Sequence, residues 1–186
     1  MLELSIGNTK LGRDTAIFNM DSATDCVSKK LGLCQLQDCN SCYALKAEIQ
    51  YPACLPFRKR QALAYHRQEY KSLASDILQG VTRNVKYIRF SEAGDFRHQG
   101  DIEKLFNIAS ELSQYIFYGY TARRDLSYKN PPKNLAINCS GFRRGNMNTF
   151  RIVKSYTGNN PTCKGNCRIC NLCKKAQSLT IENLLH

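Results

Sequence analysis

Four cysteines fall close together near the C-terminus: Cys163, Cys167, Cys170 and Cys173, in the pattern C-x-x-x-C-x-x-C-x-x-C. Thiolates packed this tightly suit a metal centre. A single zinc ion takes four ligands in a tetrahedron, usually from two separated C-x-x-C knuckles. A cubane iron–sulfur cluster carries its irons at separate corners, so a short run can wrap it with one cysteine per iron. The spacing therefore favours a [4Fe–4S] cluster, with zinc as the alternative. Disulfides between adjacent cysteines of this run would be strained and easily reduced.

A second group lies near the N-terminus: Cys26, Cys34, Cys39 and Cys42. With the C-terminal group it predicts two four-cysteine sites and two clusters. Cys54 and Cys139 remain, and read as small buried hydrophobes. Ten cysteines can form a disulfide framework in a secreted chain. Here they are clustered, and the N-terminal residues contain no long apolar signal-like segment. The chain of 186 residues is also long enough to bury a core without staples. The expectation is a reducing cytoplasm.

The chain carries 27 Lys and Arg against 15 Asp and Glu, a formal charge of +12. That excess favours a polyanionic partner, nucleic acid or a nucleotide. No apolar stretch reaches the length of a membrane span, so no membrane partner is expected. The sequence is silent on oligomeric state.

The elements that position these residues follow from periodicity. Thr15–Met20 reads as a strand, and the first cysteine loop follows it. Helical pattern runs from about Cys42 to Ala47, and Pro52 and Pro56 interrupt it. A long amphipathic helix is predicted from Phe57 to Gln79, with Leu63, Tyr70, Leu73, Ile77 and Leu78 on its apolar stripe. Its residues Arg58, Lys59, Arg60, Arg67 and Lys71 would give it a basic face able to track a nucleic-acid backbone. Strands are predicted at Val85–Phe90, Tyr115–Tyr120, Leu135–Cys139 and from Phe150, with a helix over 101–113. This order argues for an α/β fold, a partial barrel or an open, largely parallel sheet. The expected division is a core over residues 1–156, including the cysteine loop at 26–42, and a cysteine-rich metal module over 157–186 packed on it.

Ligands bind beyond the C-terminal ends of such strands. Three strand ends carry polar groups: Ser91, Glu92 and Asp95; Thr121, Arg123 and Arg124; Ser140, Arg143 and Arg144. Glu92 and Asp95 are candidates for acid–base work, although a turn Asp or helix cap explains Asp95 equally well. The arginine pairs are candidates for binding an anion. Tyr118 and Tyr120 can stack on bases if they face the open side, and His98 is a weaker acid–base candidate.

The segments CNSCYALK, IRFSEAGDF and IFYGYTARRD, followed by the C-terminal cysteines, resemble the phage family called gene product 88. The resemblance implies a phage or phage-derived source and no established activity. The architecture also resembles radical S-adenosylmethionine enzymes, in which a cysteine loop follows the first barrel strand and a Gly/Glu-rich loop follows the second. That resemblance implies a cluster on Cys34, Cys39 and Cys42, with S-adenosylmethionine near Ser91–Asp95. The chain differs in having one extra residue in the cysteine spacing and no Gly-Gly-Glu. Three functions therefore stay open: an iron–sulfur protein that binds nucleic acid or a nucleotide, a radical S-adenosylmethionine-like enzyme acting on such a molecule, and a zinc-stabilised nucleic-acid-binding protein.

Overall fold

The computed structural model describes residues 1–36 and 41–185. Cys39 and His186 lie outside the described residues, so the expectations placed on them are not addressed. Among the described residues, seven strands form one sheet in chain order: β1 (Ser5–Ile6), β2 (Thr15–Phe18), β3 (Tyr87–Phe90), β4 (Ile116–Thr121), β5 (Leu135–Ser140), β6 (Asn148–Val153) and β7 (Thr180–Leu184). β1 pairs antiparallel with β2, and every other pair is parallel. The protein is thus a mixed α/β fold on a mostly parallel open sheet. The helices α1 (Val27–Lys30), α2 (Tyr43–Gln50), α3 (Cys54–Arg67) and α4 (Tyr70–Gly80) lie between β2 and β3, and α5 (Gln99–Glu111) lies between β3 and β4.

The strands alternate, and the two faces of the sheet differ in character. Phe18, Ile88, Phe90, Phe117, Leu135 and Ile137 form one apolar face. It packs on Leu73 and Ile77 of α4 and on Ile102, Leu105 and Ile108 of α5. Fully burying each such side chain contributes about 1.5–3 kcal/mol, so this layer is a large favourable contribution to folding. At Gly119 an added Cβ would meet the Phe90 ring at 2.4 Å, which leaves glycine as the residue that fits. On the opposite face, Arg89 of β3 aligns with Tyr118 of β4, and Asn138 of β5 with Asn148 of β6.

The predicted single helix over 57–79 is two helices. Gln68 and Glu69 are both extended, which ends α3 and starts α4. Lys104 of α5 explains the break: its Nζ donates to the carbonyls of Tyr65 (3.0 Å) and Gln68 (2.9 Å) at the α3 C-terminus. Leu63 and Leu78 are exposed and not part of the apolar stripe. The buried face of α3 is instead largely polar, with Arg58 and Gln61 beside Ala62 and Tyr65. Arg58 donates to Glu48 Oε1 (3.0 Å) and the Ala44 carbonyl (2.8 Å) of α2, so it is absent from the expected basic face.

The chain between β6 and β7, which holds the C-terminal cysteines, crosses the polar face of the sheet. Asn148 Nδ2 donates to the Lys175 carbonyl (2.7 Å), and Asn138 Nδ2 to the Cys173 carbonyl (2.9 Å). Lys174 Nζ lies 3.8 Å from the centre of the Tyr87 ring. β7 then joins the same sheet beside β6. Thr180, Glu182 and Asn183 break its apolar run, and sequence periodicity gave no sign of this strand.

Candidate functional site

A cavity of about 520 Å³ opens between the polar face of the sheet, the first cysteine loop and the β6–β7 crossover. Cys26, Cys34 and Cys42 border it from the first group, and Cys163, Cys167, Cys170 and Cys173 from the second. These seven cysteines are half-buried. Burial pushes Cys26 up to about 12, with the Asp95 and Cys34 charges adding to it. Burial likewise pushes Cys173 up to about 11, reinforced by Cys163, Cys167 and Cys170 against the opposing Tyr120 hydroxyl. Among the described residues, no three His, Cys, Asp or Glu side chains are already grouped to hold one metal ion.

The thiol-bearing backbone is anchored from several sides. Cys167 N donates to the Lys10 carbonyl (3.1 Å), Cys163 N to the Glu182 carbonyl (2.7 Å), and Lys174 Nζ to the Cys167 carbonyl (3.0 Å). In the first loop, Gln35 reaches across to Ser140 Oγ and the Phe150 carbonyl, both at 2.9 Å. It also accepts the Ile152 N–H at 3.0 Å. Gly141 makes this approach feasible, since its φ is +82° and an added Cβ would lie 2.4 Å from Gln35.

The loop after β3 forms another wall. Ser91, Glu92 and Asp95 all border the cavity, as expected from their position at a strand end. Ser91 is left-handed, with φ 53°, a conformation that non-glycine residues adopt at some cost and that clusters at functional loops. Asp95 is 4 % exposed. It accepts from Ser28 Oγ (2.6 Å), Thr121 Oγ1 (2.7 Å), Ala122 N and Phe96 N (both 2.8 Å). Burial raises its carboxyl above the ordinary value, and those hydrogen bonds oppose the rise. With its lone pairs occupied, Asp95 joins three loops. Glu92 is more accessible, near Arg58 and Arg89, each at 3.9 Å.

The arginine pairs do not gather at the cavity. Arg123 folds onto Asp125 (2.7 Å) and the carbonyls of Phe96 and Arg97. Arg144 donates to the carbonyls of Leu126 and Arg124 and lies over the Tyr128 ring. Arg124 and Arg143 are exposed and away from the cavity lining. His98 caps α5 in a reciprocal capping box with Asp101. Cys139 is fully buried, with Sγ 3.9 Å from Met147 Sδ, as expected of a small hydrophobe.

The positive charge at the cavity comes from residues the sequence did not single out: Arg89, Lys10, Lys29, Lys164 and Lys174. Arg89 had one readable sign, a charge alternating with Ile88 and Phe90 in a strand. Tyr118 and Tyr120 do face the open side.

Fold and site together define an α/β protein with two sets of cysteines around one cavity at the polar face of a mostly parallel sheet. A family model described as gene product 88 matches residues 2–160. The chain belongs to the gene product 88 family, and the match ends before Cys163. No curated protein and no solved structure matches it.

Proposed function

We propose that this is an iron–sulfur protein holding [4Fe–4S] clusters on both cysteine groups, with a nucleotide-sized anionic ligand taken into the cavity they share. One observation carries the reading: every described cysteine of both groups borders the same cavity. The donor set fits. Their backbone is anchored from several sides, and binding iron would displace the thiol protons that burial retains. Cys26, Cys34 and Cys42, with Cys39, would hold one cluster, and Cys163, Cys167, Cys170 and Cys173 the other. Bound clusters supply electron transfer or structural cross-linking there.

The cavity supports a small ligand over a nucleic-acid groove, because burial of Arg58 and the pairing of Arg60 with Glu3 deplete the basic face of α3. The redox-enzyme reading, with S-adenosylmethionine as a ligand, has its own support. The first cysteine loop follows the first parallel strand, and the Ser91–Asp95 loop follows the second, on one cavity.

The test is anaerobic purification followed by EPR of the reduced protein, with and without adenosine 5′-monophosphate. A cluster signal that the nucleotide perturbs is expected. A signal unmoved by nucleotide, with salt-sensitive binding of DNA or RNA, replaces the small-ligand reading with the nucleic-acid one. Conversion of S-adenosylmethionine to methionine by the reduced protein moves it to the enzyme class.

A further inference from the structure

Arg89 and Tyr118 stand directly opposite each other on β3 and β4, and both border the cavity. They are nearly inaccessible, at 8 % and 2 % exposure. Each keeps one polar atom without a hydrogen-bond partner among the described residues, Arg89 Nε and Tyr118 Oη. The Thr15 hydroxyl is the nearby polar group for Tyr118, and it donates to Asp14 Oδ1 at 3.2 Å. Two unpaired donors on opposed residues of neighbouring strands are a costly arrangement for a buried site, and a bound acceptor removes the cost.

The rest of the guanidinium is held in place. Nη2 donates to Tyr43 Oη (3.4 Å), and Nη1 stands 3.9 Å from Glu92 Oε1. The Tyr120 ring lies 5.5 Å from Cζ. Tyr43 is fixed in turn by donating to the Glu92 carbonyl at 2.8 Å. The unpaired N–H is therefore held in place on the same sheet face as a hydroxyl that can also donate. A cation would meet the guanidinium charge, and an apolar group would leave both donors unmade. A negatively charged, acceptor-only group suits the pair. Lys10 and Lys164 on the lining add positive potential.

We propose that Arg89 and Tyr118 form an oxyanion anchor in the cavity, taking the phosphate or carboxylate group of the bound ligand. The inference rests on reading the cavity as a ligand site and assigns the end of the ligand that enters deepest.

The experiment follows thermal unfolding of the full chain, purified anaerobically, against inorganic phosphate, acetate and adenosine 5′-monophosphate at constant ionic strength. Wild type is compared with Tyr118→Phe and Arg89→Lys. Without ligand, Tyr118→Phe unfolds no lower than wild type, because the hydroxyl it removes has no partner. With ligand, a saturable rise is expected for phosphate or for acetate, and which anion works identifies the group. Affinity falls about tenfold in Tyr118→Phe, the loss expected for one hydrogen bond. Equal anion affinity in wild type and both variants overturns the anchor, and so does the absence of any saturable anion response. Nucleotide binding that both variants leave unchanged removes the anchor and keeps the cavity reading. An anion response without nucleotide binding keeps the anchor and removes the nucleotide. If Arg89→Lys does not fold, Tyr118→Phe decides.

Discussion

The Ser28 hydroxyl donates to Asp95 Oδ2 at 2.6 Å, tying the first cysteine loop to the end of β3. The same carboxylate holds Thr121 and Ala122 at the end of β4. One side chain thus sets the spacing of three walls of the cavity.

Asp95→Asn places an amide where backbone and hydroxyl donors converge. It is expected to cost about 2–4 kcal/mol, since each hydrogen bond to a charged acceptor contributes roughly 1.5–3 kcal/mol. Chemical denaturation checks this. A variant as stable as wild type would remove Asp95 from its organising role.

The Glu48–Arg58 pair is buried, with side chains 2 % and 5 % exposed, and links α2, α3 and the first cysteine loop. Burial alone would raise Glu48. Hydrogen bonds from Ala23 N, Arg58 and Thr24 hold it below its ordinary 4.5. A carboxyl lowered on folding contributes stability that is present above the unfolded pKa and lost as pH falls through the folded one. Stability should therefore decline from about pH 4.5 downward. Glu48→Gln should flatten that decline and cost about 3–5 kcal/mol at neutral pH by stranding Arg58. Denaturation midpoints at pH 3 to 7 test both statements.

Gly94 has φ +75°, and a Cβ there would stand 2.3 Å from Asp21 Cβ. Arg97 pins Asp21 at 3.0 and 3.2 Å, so it cannot easily yield. Gly94→Ala should lose at least about 2 kcal/mol from clash and backbone strain together. A thermal unfolding curve unchanged by the substitution would contradict this packing.

Asn148 holds the C-terminal crossover through donors and an acceptor at once: Nδ2 to Lys175 O, and Oδ1 from Gln177 N at 3.0 Å. Asn148→Ala should cost about 2–3 kcal/mol and release hydrogen-exchange protection over residues 172–179 before the core opens. Uniform loss of protection across the whole sheet would show that the crossover is not a separately opening unit.

The strands from β2 to β6 were legible because apolar runs such as Val85–Phe90 and Leu135–Cys139 bury one face under helices. The convergence of Ser91, Glu92 and Asp95 followed from their place at a strand end. The arginine pairs misled, because Arg123 and Arg144 satisfy nearby carbonyls, a turn-level choice that spacing does not encode. Arg89 was missed for the opposite reason. It sits within a strand, where only the alternation of Tyr87 and Arg89 with Ile88 and Phe90 marks a polar face. The break between α3 and α4 depends on Lys104, far along the chain, and no local pattern announces it.

Cluster occupancy of both cysteine groups can be read from metal and sulfide content. Its most direct measurement is iron, zinc and acid-labile sulfide in anaerobically purified wild type, Cys42→Ser and Cys170→Ser. Two clusters require iron and sulfide in equal amounts, and a loss of about half of each in either variant. Stoichiometric zinc without sulfide, or an iron content that neither substitution changes, would contradict that occupancy.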